Sequence, residues 1–213
     1  MPRTVVVTGG TTRLGSFIAN RLRADGWRVL STSHRPDAGA DIVCDFSAPD
    51  AAERVLASVR SLNGGRLPDA LVNNAALFAG DAAVLRAVNF ETPRRLVDAL
   101  AREASGESPV RVVNVLDART REGAYGETKA ALAEFTRVAA GRYAGRVAVN
   151  GVAPGPVLVP TAVREKAGAC PFGRPTPDAV ADAVAFLLSA AYTTGCVVTV
   201  DGGQAALEAR GRS

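Results

Sequence analysis

Tyr125 and Lys129 stand four residues apart in the segment Tyr-Gly-Glu-Thr-Lys. Of the 25 lysine and arginine residues in the chain, only Lys129 and Lys166 are lysine. Residues four apart share one face of a helix and can touch. An ammonium beside a phenol stabilises the phenolate, which lets the phenol exchange a proton near neutral pH. The pair therefore predicts a proton-transfer site, although this spacing can also arise by chance.

The elements that would position this pair alternate regularly along the chain. Strands are expected at 4–8, 28–32, 41–44, 70–73, 111–116, 147–152 and 196–200, and helices at 14–24, 49–62, 82–104, 124–143 and 177–190. Several of the strands are apolar without alternation, as strands buried on both faces are. The order predicts one α/β domain over residues 1–213, a Rossmann-type doubly wound domain with a seven-stranded parallel sheet and helices on both faces. Residues 156–175 lack periodicity and hold four prolines, so we expect a substrate loop over the carboxyl ends of the strands.

Composition and charge narrow the function classes. Hydrophobic residues make up 47% and charged residues 22% of the chain, which indicates a folded core. The net charge is +4, but the arginines are spread out, so we expect an anionic small molecule and no nucleic acid. Three cysteines and one histidine lack metal-ligand spacing, which predicts no metal site. With no signal peptide and no membrane-spanning run, the sequence predicts a cytoplasmic protein.

A glycine-rich turn follows the first expected strand. Thr8-Gly9-Gly10-Thr11-Thr12-Arg13-Leu14-Gly15 passes into a helix at Ser16. Gly9 and Gly10 allow a tight turn, and Gly15 lets the helix begin close to the sheet. The helix N-terminus then offers backbone N–H groups to a pyrophosphate. Because this turn opens the first βαβ unit, we interpret it as a nucleotide site rather than a purely structural turn.

The end of the second expected strand indicates which nucleotide binds. An acidic residue usually holds a free ribose 2′-hydroxyl at this place, but here His34 and Arg35 follow the strand. Arginine accommodates a 2′-phosphate through paired hydrogen bonds, and Arg13 could add a second positive charge. We therefore predict NADPH rather than NADH. The alternative is that both arginines are solvated surface residues.

Together these motifs resemble the short-chain dehydrogenase/reductase family over nearly the whole chain. The matching segments are Thr8-Gly9…Gly15, Asn73-Asn74-Ala75-Ala76, Tyr125 with Lys129, Ala153-Pro154-Gly155-Pro156-Val157 and Val200-Asp201-Gly202-Gly203, with Asp45 and Asn89 as single matches. The resemblance implies further cofactor contacts from Leu14, Asp45, Phe46, Asn74, Ala75, Pro154, Gly155 and Val157.

Within the family, the chain looks most like the pteridine reductase branch, including dihydromonapterin reductases. Arg13 stands where most members have Gly, His34-Arg35 follows the second strand, and Asp117 stands where most members have Ser. Phe78 falls where that branch stacks its pterin on an aromatic ring, although a packed loop aromatic is an equal alternative. The segment 117–125 is shorter than the family usually has, and helix four begins sooner after strand four than expected, which bears on the substrate more than on the reductase chemistry.

The resemblance implies hydride transfer from NADPH to an acceptor held over the nicotinamide. Tyr125 would donate the proton, while Lys129 would favour its ionised form and hold the nicotinamide ribose. Asn89 would position a water that relays protons to Lys129. In this chemistry the protein orients the reactants and supplies the electrostatic environment.

Asp117 alters the expected substrate. An ionised carboxylate only accepts hydrogen bonds and repels a developing alkoxide, so it favours an iminium or another proton-bearing nitrogen. If its pKa is raised, it could itself donate a proton. We therefore expect reduction of a C=N bond in a pterin-like or other nitrogen-containing substrate. Three alternatives remain: Asp117 caps the loop at 118–123, the protein reduces ketones or quinones, or it is a non-catalytic NADP(H)-binding module.

The resemblance also implies a homodimer or homotetramer formed through helices 82–104 and 124–143. Alanines in the second of these helices would allow close contact, although alanine also simply favours helix. These alanines are Ala130, Ala131, Ala133, Ala139 and Ala140.

Overall fold

The structure, a computed structural model, describes residues 2–105, 108–119, 122–158 and 170–210. The strands are β1 (Thr4–Val7), β2 (Arg28–Ser33), β3 (Ile42–Val43), β4 (Ala70–Asn73), β5 (Val110–Val115), β6 (Val147–Pro154) and β7 (Val197–Val200). The helices are α1 (Arg13–Ala24), α2 (Ala51–Leu62), α3 (Ala82–Arg86), α4 (Thr92–Glu103), α5 (Gly123–Arg142), α6 (Pro177–Ser189) and α7 (Gln204–Arg210). A π-helical turn, Ala87–Glu91, joins α3 to α4, and a 3₁₀ turn lies at Pro36–Ala38.

The strands form one parallel sheet in the order β3-β2-β1-β4-β5-β6-β7. From β1 the chain first builds outward through β2 and β3, then returns to the other side of β1 and continues to β7. This reversal opens a crevice between the carboxyl ends of β1 and β4, where open α/β sheets bind ligands. The prediction of a single Rossmann-type domain with a seven-stranded parallel sheet is confirmed.

Alternating side chains on each strand supply two cores, one on each face of the sheet. On β1, Val6 points into a core formed with α2, α4 and the end of α5. Its neighbours Val5 and Val7 point the other way, against α1 and α6. All three valines are at most 1% exposed. The unbroken apolar strands therefore reflect burial on both faces, as the sequence predicts.

The element boundaries differ from the sequence prediction in informative places. β6 runs on to Pro154, because its ladder with β7 continues to the Pro154–Val200 pair. The expected helix at 82–104 is helical from Ala82 to Glu103 but contains the π-helical turn. Helix α7 was not predicted, and it buries none of its residues, so it leaves no apolar periodicity in the sequence. In the predicted loop 156–175, residues 159–169 lie outside the described residues.

A membrane-crossing helix is also lacking in the described ranges: none of their helices combines the length and the apolar character that a bilayer span requires.

Candidate active site

A cavity of about 1240 Å³ lies at the carboxyl ends of the strands. Its walls are formed by the glycine turn after β1, the ends of β2, β4, β5 and β6, and the first turns of α5. One of the predicted site residues, Asn89, does not line this cavity. The others line the cavity: Gly9, Arg13, Leu14, Gly15, His34, Arg35, Asp45, Phe46, Asn74, Ala75, Phe78, Asp117, Tyr125, Lys129, Pro154, Gly155 and Val157.

The glycine turn is locked to the end of β4 by polar contacts. Asn74 Nδ2 donates to the carbonyls of Thr8 and Gly9 at 3.0 and 3.2 Å, and Thr8 Oγ1 accepts from the backbone N–H groups of Asn74 and Ala75. A Cβ on Gly15 would lie 2.0 Å from the Gly9 carbonyl oxygen and 2.6 Å from Asn74 Nδ2. Only glycine at position 15 therefore allows α1 to begin this close to the turn.

The N-terminus of α1 faces the cavity with its backbone donors available. The N-cap residue Thr12 makes no side-chain capping bond, and no acidic residue stands in the first turn. Unpaired N–H groups and the positive end of the helix dipole together form an anion site. With the glycine turn and the volume of the cavity, these donors fit the pyrophosphate of a dinucleotide.

Arg13 adopts a backbone conformation that is unusual for its side chain. Its φ of 51° lies in the left-handed region, which costs a non-glycine residue about 1–2 kcal/mol. Its guanidinium lies 5.9 Å from the centre of the Phe78 ring. Arg13 thus contacts the loop after β4, and its predicted contact with a 2′-phosphate stays a prediction.

The end of β2 and the segment after β3 line another part of the cavity. His34 and Arg35 are exposed and line the cavity. Asp45 Oδ1 accepts from both the backbone N–H and the hydroxyl of Ser47, each at 2.8 Å. These bonds, with help from the nearby His34, lower the pKa of Asp45. Phe46 is buried behind this turn, so Asp45 is held in place as a charged acceptor.

Tyr125 and Lys129 lie in the first turns of α5, as their spacing predicts. Tyr125 Oη donates to Asp117 Oδ2 at 3.0 Å, and Lys129 Nζ donates to the carbonyl of Val115 at 2.7 Å. Burial lowers the pKa of the Lys129 ammonium from 10.5 to about 8, against the opposing charge of Asp117. A phenol, an ammonium and a carboxylate therefore meet at one wall of the cavity.

Asp117 combines two roles that the sequence left as alternatives. Its Oδ1 accepts from the backbone N–H of Arg119 at 2.9 Å, which caps the loop after β5. Its Oδ2 at the same time accepts from Tyr125. The side chain of Asp117 is only 7% exposed, and the Arg119 guanidinium approaches Oδ1, with Nε at 3.5 Å. The carboxylate thus faces the phenol while it fixes the loop.

Asn89 supports the site from behind, within the π-helical turn. Its amide exchanges two hydrogen bonds with the backbone of Leu77, both of 2.8 Å, and donates to Thr128 Oγ1 at 3.2 Å. Its side chain therefore ties the loop after β4 to α5. Its predicted role in holding a water stays untested. π-Helical turns are frequent at functional sites, where they re-aim a side chain.

Phe78 lies against the candidate catalytic tyrosine. The two rings stack with centroids 5.2 Å apart and planes at 27°. Phe78 is 60% exposed and lines the cavity, so it is more than a packed loop residue. The ring is in place to contact a substrate that approaches Tyr125.

A buried polar chain holds α5 against the sheet. Asn73 Nδ2 donates to Asn114 Oδ1 at 2.8 Å, and Asn114 Nδ2 donates to Thr136 Oγ1 at 2.9 Å. Thr136 in turn donates to the carbonyl of Leu132. The chain links β4, β5 and α5, and so it fixes the helix that carries the phenol and the ammonium.

The end of β6 also lines the cavity. The Pro154 carbonyl accepts from the Ala118 N–H at 2.9 Å, so β6 supports the loop that holds Asp117. A Cβ on Gly155 would lie 2.7 Å from Asp201 Cβ, which explains the glycine there. Val157 follows as part of the lining.

The sequence analysis missed Arg119 and Thr128 as site residues. Arg119 stands two residues after Asp117 on a short loop, which places its charge near the carboxylate. Thr128 precedes Lys129 and accepts from Asn89. The two-residue separation from Asp117 could have indicated Arg119. The contact of Thr128 with Asn89 depends on how α5 packs against the π-helical turn.

The fold and this cavity define a nucleotide-binding α/β enzyme. The sequence profile described as "Enoyl-(Acyl carrier protein) reductase" matches residues 13–205. The chain is 31% identical to Protein FixR of Bradyrhizobium diazoefficiens over 95% of this chain and 87% of the relative. It is also 31% identical to a rhamnolipids biosynthesis 3-oxoacyl-(acyl-carrier-protein) reductase of Pseudomonas aeruginosa over 94% and 95% of the two chains.

A solved structure has the same fold over nearly the whole chain. The crystal structure of the 3-alpha-hydroxysteroid dehydrogenase from Pseudomonas sp. B-0831 complexed with NADH superposes with a TM-score of 0.84 at 29% identity, covering 99% of each chain. The chain therefore belongs to the short-chain dehydrogenase/reductase family and is an oxidoreductase that uses a nicotinamide cofactor. Two of these three relatives are named for 3-oxoacyl and hydroxysteroid chemistry, and none of the three is named for pteridine reduction.

Proposed function

We propose that this protein is an NADPH-dependent carbonyl reductase in which Tyr125 protonates the carbonyl oxygen. The observation that carries the proposal is that the Tyr125 phenol and the buried Lys129 ammonium line the same cavity as the glycine turn. The 3-oxoacyl group in the name of one relative and the hydroxysteroid in the name of another favour a C=O substrate over a C=N substrate.

Each residue has a defined part in this reaction. When bound, a reduced nicotinamide supplies the hydride that adds to the carbonyl carbon. Tyr125 gives its phenolic proton to the carbonyl oxygen, and the nearby ammonium of Lys129 stabilises the phenolate that remains. Phe78 stacks on the Tyr125 ring and so limits its rotation. Asn89 holds the loop that carries Phe78 at its Leu77 end.

NADPH is the proposed cofactor because Arg35 and His34 line the cavity at the end of β2, where a ribose 2′-phosphate would lie. Replacing Arg35 with Ala should weaken NADPH binding about tenfold to thirtyfold and leave NADH binding nearly unchanged, since only the phosphate contact is lost. Fluorescence titration of both cofactors measures this difference. Equal losses for the two cofactors would contradict the assignment.

Reduction of a C=N bond is the second candidate, and one observation favours it. The Asp117 carboxylate accepts the phenolic hydrogen of Tyr125 at 3.0 Å, where an anion would stabilise a cationic iminium. A pterin-like substrate, as in the pteridine reductase branch, would also use the exposed ring of Phe78 for stacking.

A substrate panel separates the two candidates. Oxidation of NADPH is followed at its absorbance with 3-oxoacyl thioesters, quinones and simple ketones in one set, and cyclic imines and pterins in the other. Carbonyl reduction predicts turnover in the first set that Tyr125→Phe abolishes. Turnover confined to the second set would replace the proposal with imine reduction, and cofactor binding with no turnover at all would indicate a non-catalytic module.

We further propose that the protein forms a homodimer or homotetramer through α4 and α5. The support is apolar surface along α5, where Val138 is 45% exposed and Phe135 is only partly buried. Light scattering tests this proposal directly, and a monomer at micromolar concentration would contradict it.

A further inference from the structure

Among the described residues, three arginines line the cavity, and they stand at different places in it. Arg35 follows β2, where a ribose 2′-phosphate would lie, and Arg119 approaches Asp117. Arg13 belongs to the glycine turn, and its guanidinium lies 5.9 Å from the centre of the Phe78 ring. Within the described ranges Arg13 forms no ion pair, so its charge is available to a ligand in the cavity.

The backbone at Arg13 indicates that this side chain has a task. Its φ of 51° is unfavourable for any residue with a Cβ, whereas glycine adopts it without strain. By resemblance, most of the family has glycine at this place. Strained backbone of this kind is found mainly where a function requires it. The guanidinium, which glycine lacks, is the part of Arg13 that offsets the strain.

The place of the guanidinium points to the substrate. The Phe78 ring contacts the guanidinium of Arg13 and also stacks on Tyr125, with ring centroids 5.2 Å apart. One small molecule can therefore reach from the phenol across the Phe78 ring to Arg13. The surface between them is apolar, since Leu77, Phe78 and Val84 line the cavity and are 37%, 60% and 38% exposed.

The anionic groups of the cofactor have other donors. The pyrophosphate faces the free N–H groups at the start of α1, and the ribose 2′-phosphate would meet Arg35 and His34. Arg13 is thus left over when the needs of the cofactor are met. An anion on the substrate is the remaining ligand for a guanidinium that lies beside an exposed aromatic ring.

We infer that Arg13 binds an anionic group of the substrate, so that the protein reduces ketones that carry a carboxylate on an apolar or aromatic body. The inference rests on the proposed carbonyl reductase function and deepens it. The guanidinium holds the carboxylate through paired hydrogen bonds, and the body of the substrate packs on Phe78. The hydride adds to the carbonyl carbon, and the phenolic proton of Tyr125 passes to the carbonyl oxygen. The carboxylate keeps its charge, and the product is a hydroxy acid.

The kinetic test compares two ketones that differ in charge but hardly in shape, para-acetylbenzoate and its amide, para-acetylbenzamide. The wild-type protein should show a KM about tenfold to thirtyfold lower for the carboxylate. Arg13→Gly should abolish this difference by raising the KM for the carboxylate, while kcat for both ketones stays within about threefold. Arg13→Lys keeps the charge without the paired donors and should retain part of the difference. Arg23→Gln, which removes an exposed arginine of α1 outside the cavity lining, is the matched control and should preserve all of it.

A second readout measures binding without turnover. Benzoate is titrated into protein saturated with NADP⁺ and followed by NMR, and its Kd should rise about tenfold in Arg13→Gly. The Kd for NADPH should stay within about threefold in the same variant.

Three outcomes would overturn the inference. A tenfold loss of NADPH affinity in Arg13→Gly, with benzoate binding unchanged, would assign Arg13 to a phosphate of the cofactor. Equal KM values for the two ketones in the wild-type protein would remove the anionic substrate while carbonyl reduction stands. If the wild-type protein reduces cyclic imines but no ketone, the proposed function fails and the inference falls with it.

Discussion

The two halves of the cavity are built in different ways. The nucleotide half, around the glycine turn, consists of backbone and short side chains such as Thr8 and Asn74, joined by hydrogen bonds of 2.9–3.2 Å. In the substrate half, side chains on loops line the cavity: Asp117, Arg119 and the exposed ring of Phe78. Hydrogen bonds and close backbone contacts therefore hold the glycine turn, while the loop side chains of the second half lie outside the sheet.

This difference separates the residues that identify the family from those that would select the substrate. There is no room for a side chain at position 15, so the glycine turn does not accommodate a larger residue there. Substitutions on the loop after β5 alter charge and shape only at the cavity wall. The two halves meet at α5, whose residues Tyr125 and Lys129 line the cavity between them.

The largest expected effect falls where the halves meet. Tyr125→Phe should lower kcat about a thousandfold, because it removes the proton donor, and it should leave the Kd for NADPH within about threefold. Turnover assays with fluorescence titration of NADPH measure both quantities. The fully exposed Tyr192 supplies the control, since Tyr192→Phe should change neither. A small loss of kcat in Tyr125→Phe would place the proton donor elsewhere.

A substitution in the nucleotide half should act on binding instead. Gly15→Ala forces a Cβ to within 2.0 Å of the Gly9 carbonyl oxygen, so the turn must shift and NADPH affinity should fall at least about a hundredfold. Gly141→Ala is the matched control, because a Cβ there meets nothing within 4 Å. It should stabilise α5 by about 0.5–1 kcal/mol. Unchanged NADPH affinity in Gly15→Ala would show that this turn does not hold the cofactor.

Lys129 should make stability and activity depend on pH in opposite directions. Its pKa is lowered to about 8 in the folded protein, from 10.5, so above pH 8 the unfolded chain holds more protons. The free energy of unfolding should therefore gain up to about 3 kcal/mol from this group between pH 8 and 10.5, and Lys129→Met should lack this gain. Reduction should slow over the same range as the ammonium is lost. Denaturant titrations of both proteins from pH 7 to 10 provide the measurement, and parallel curves would contradict the burial of this charge.

The smallest effect concerns Arg13, which belongs to the glycine turn but contacts Phe78 of the substrate half. Arg13→Gly should raise the free energy of unfolding by about 0.5–1 kcal/mol, because glycine adopts the φ of 51° without strain. Arg23→Gly, later in α1, should instead lower it by about 1 kcal/mol. Thermal or chemical denaturation compares the two variants. A loss of stability in Arg13→Gly would mean that its contact with Phe78 outweighs the backbone strain.

The placement of the glycine turn could be predicted from the sequence because its determinants are local. Gly9, Gly15 and Asn74 follow strand ends, and the position of a strand end on a parallel sheet follows from the order of elements. Tyr125 and Lys129 were predictable for a similar reason, since helical spacing alone places them on one face.

The substrate half depends on contacts between residues that are distant in sequence. The sequence left open whether Asp117 faces the phenol or caps its loop, and the structure shows both contacts. The bond from Asn89 to Thr128 spans 39 residues, and the π-helical turn that aims Asn89 leaves no distinct pattern in an otherwise helical segment. Side-chain geometry of this kind is set by tertiary packing, which spacing does not encode.

The most direct test of carbonyl reduction at Tyr125 follows the hydride itself. NADPH deuterated at C4 of the nicotinamide is mixed with a 3-oxoacyl thioester and the wild-type protein, and the product is analysed by mass spectrometry and NMR. Carbonyl reduction predicts one deuterium on the new carbinol carbon, with the transfer rate reduced about a thousandfold in Tyr125→Phe. Label transferred to a cyclic imine but not to the ketone, or equal rates in the two proteins, would contradict it.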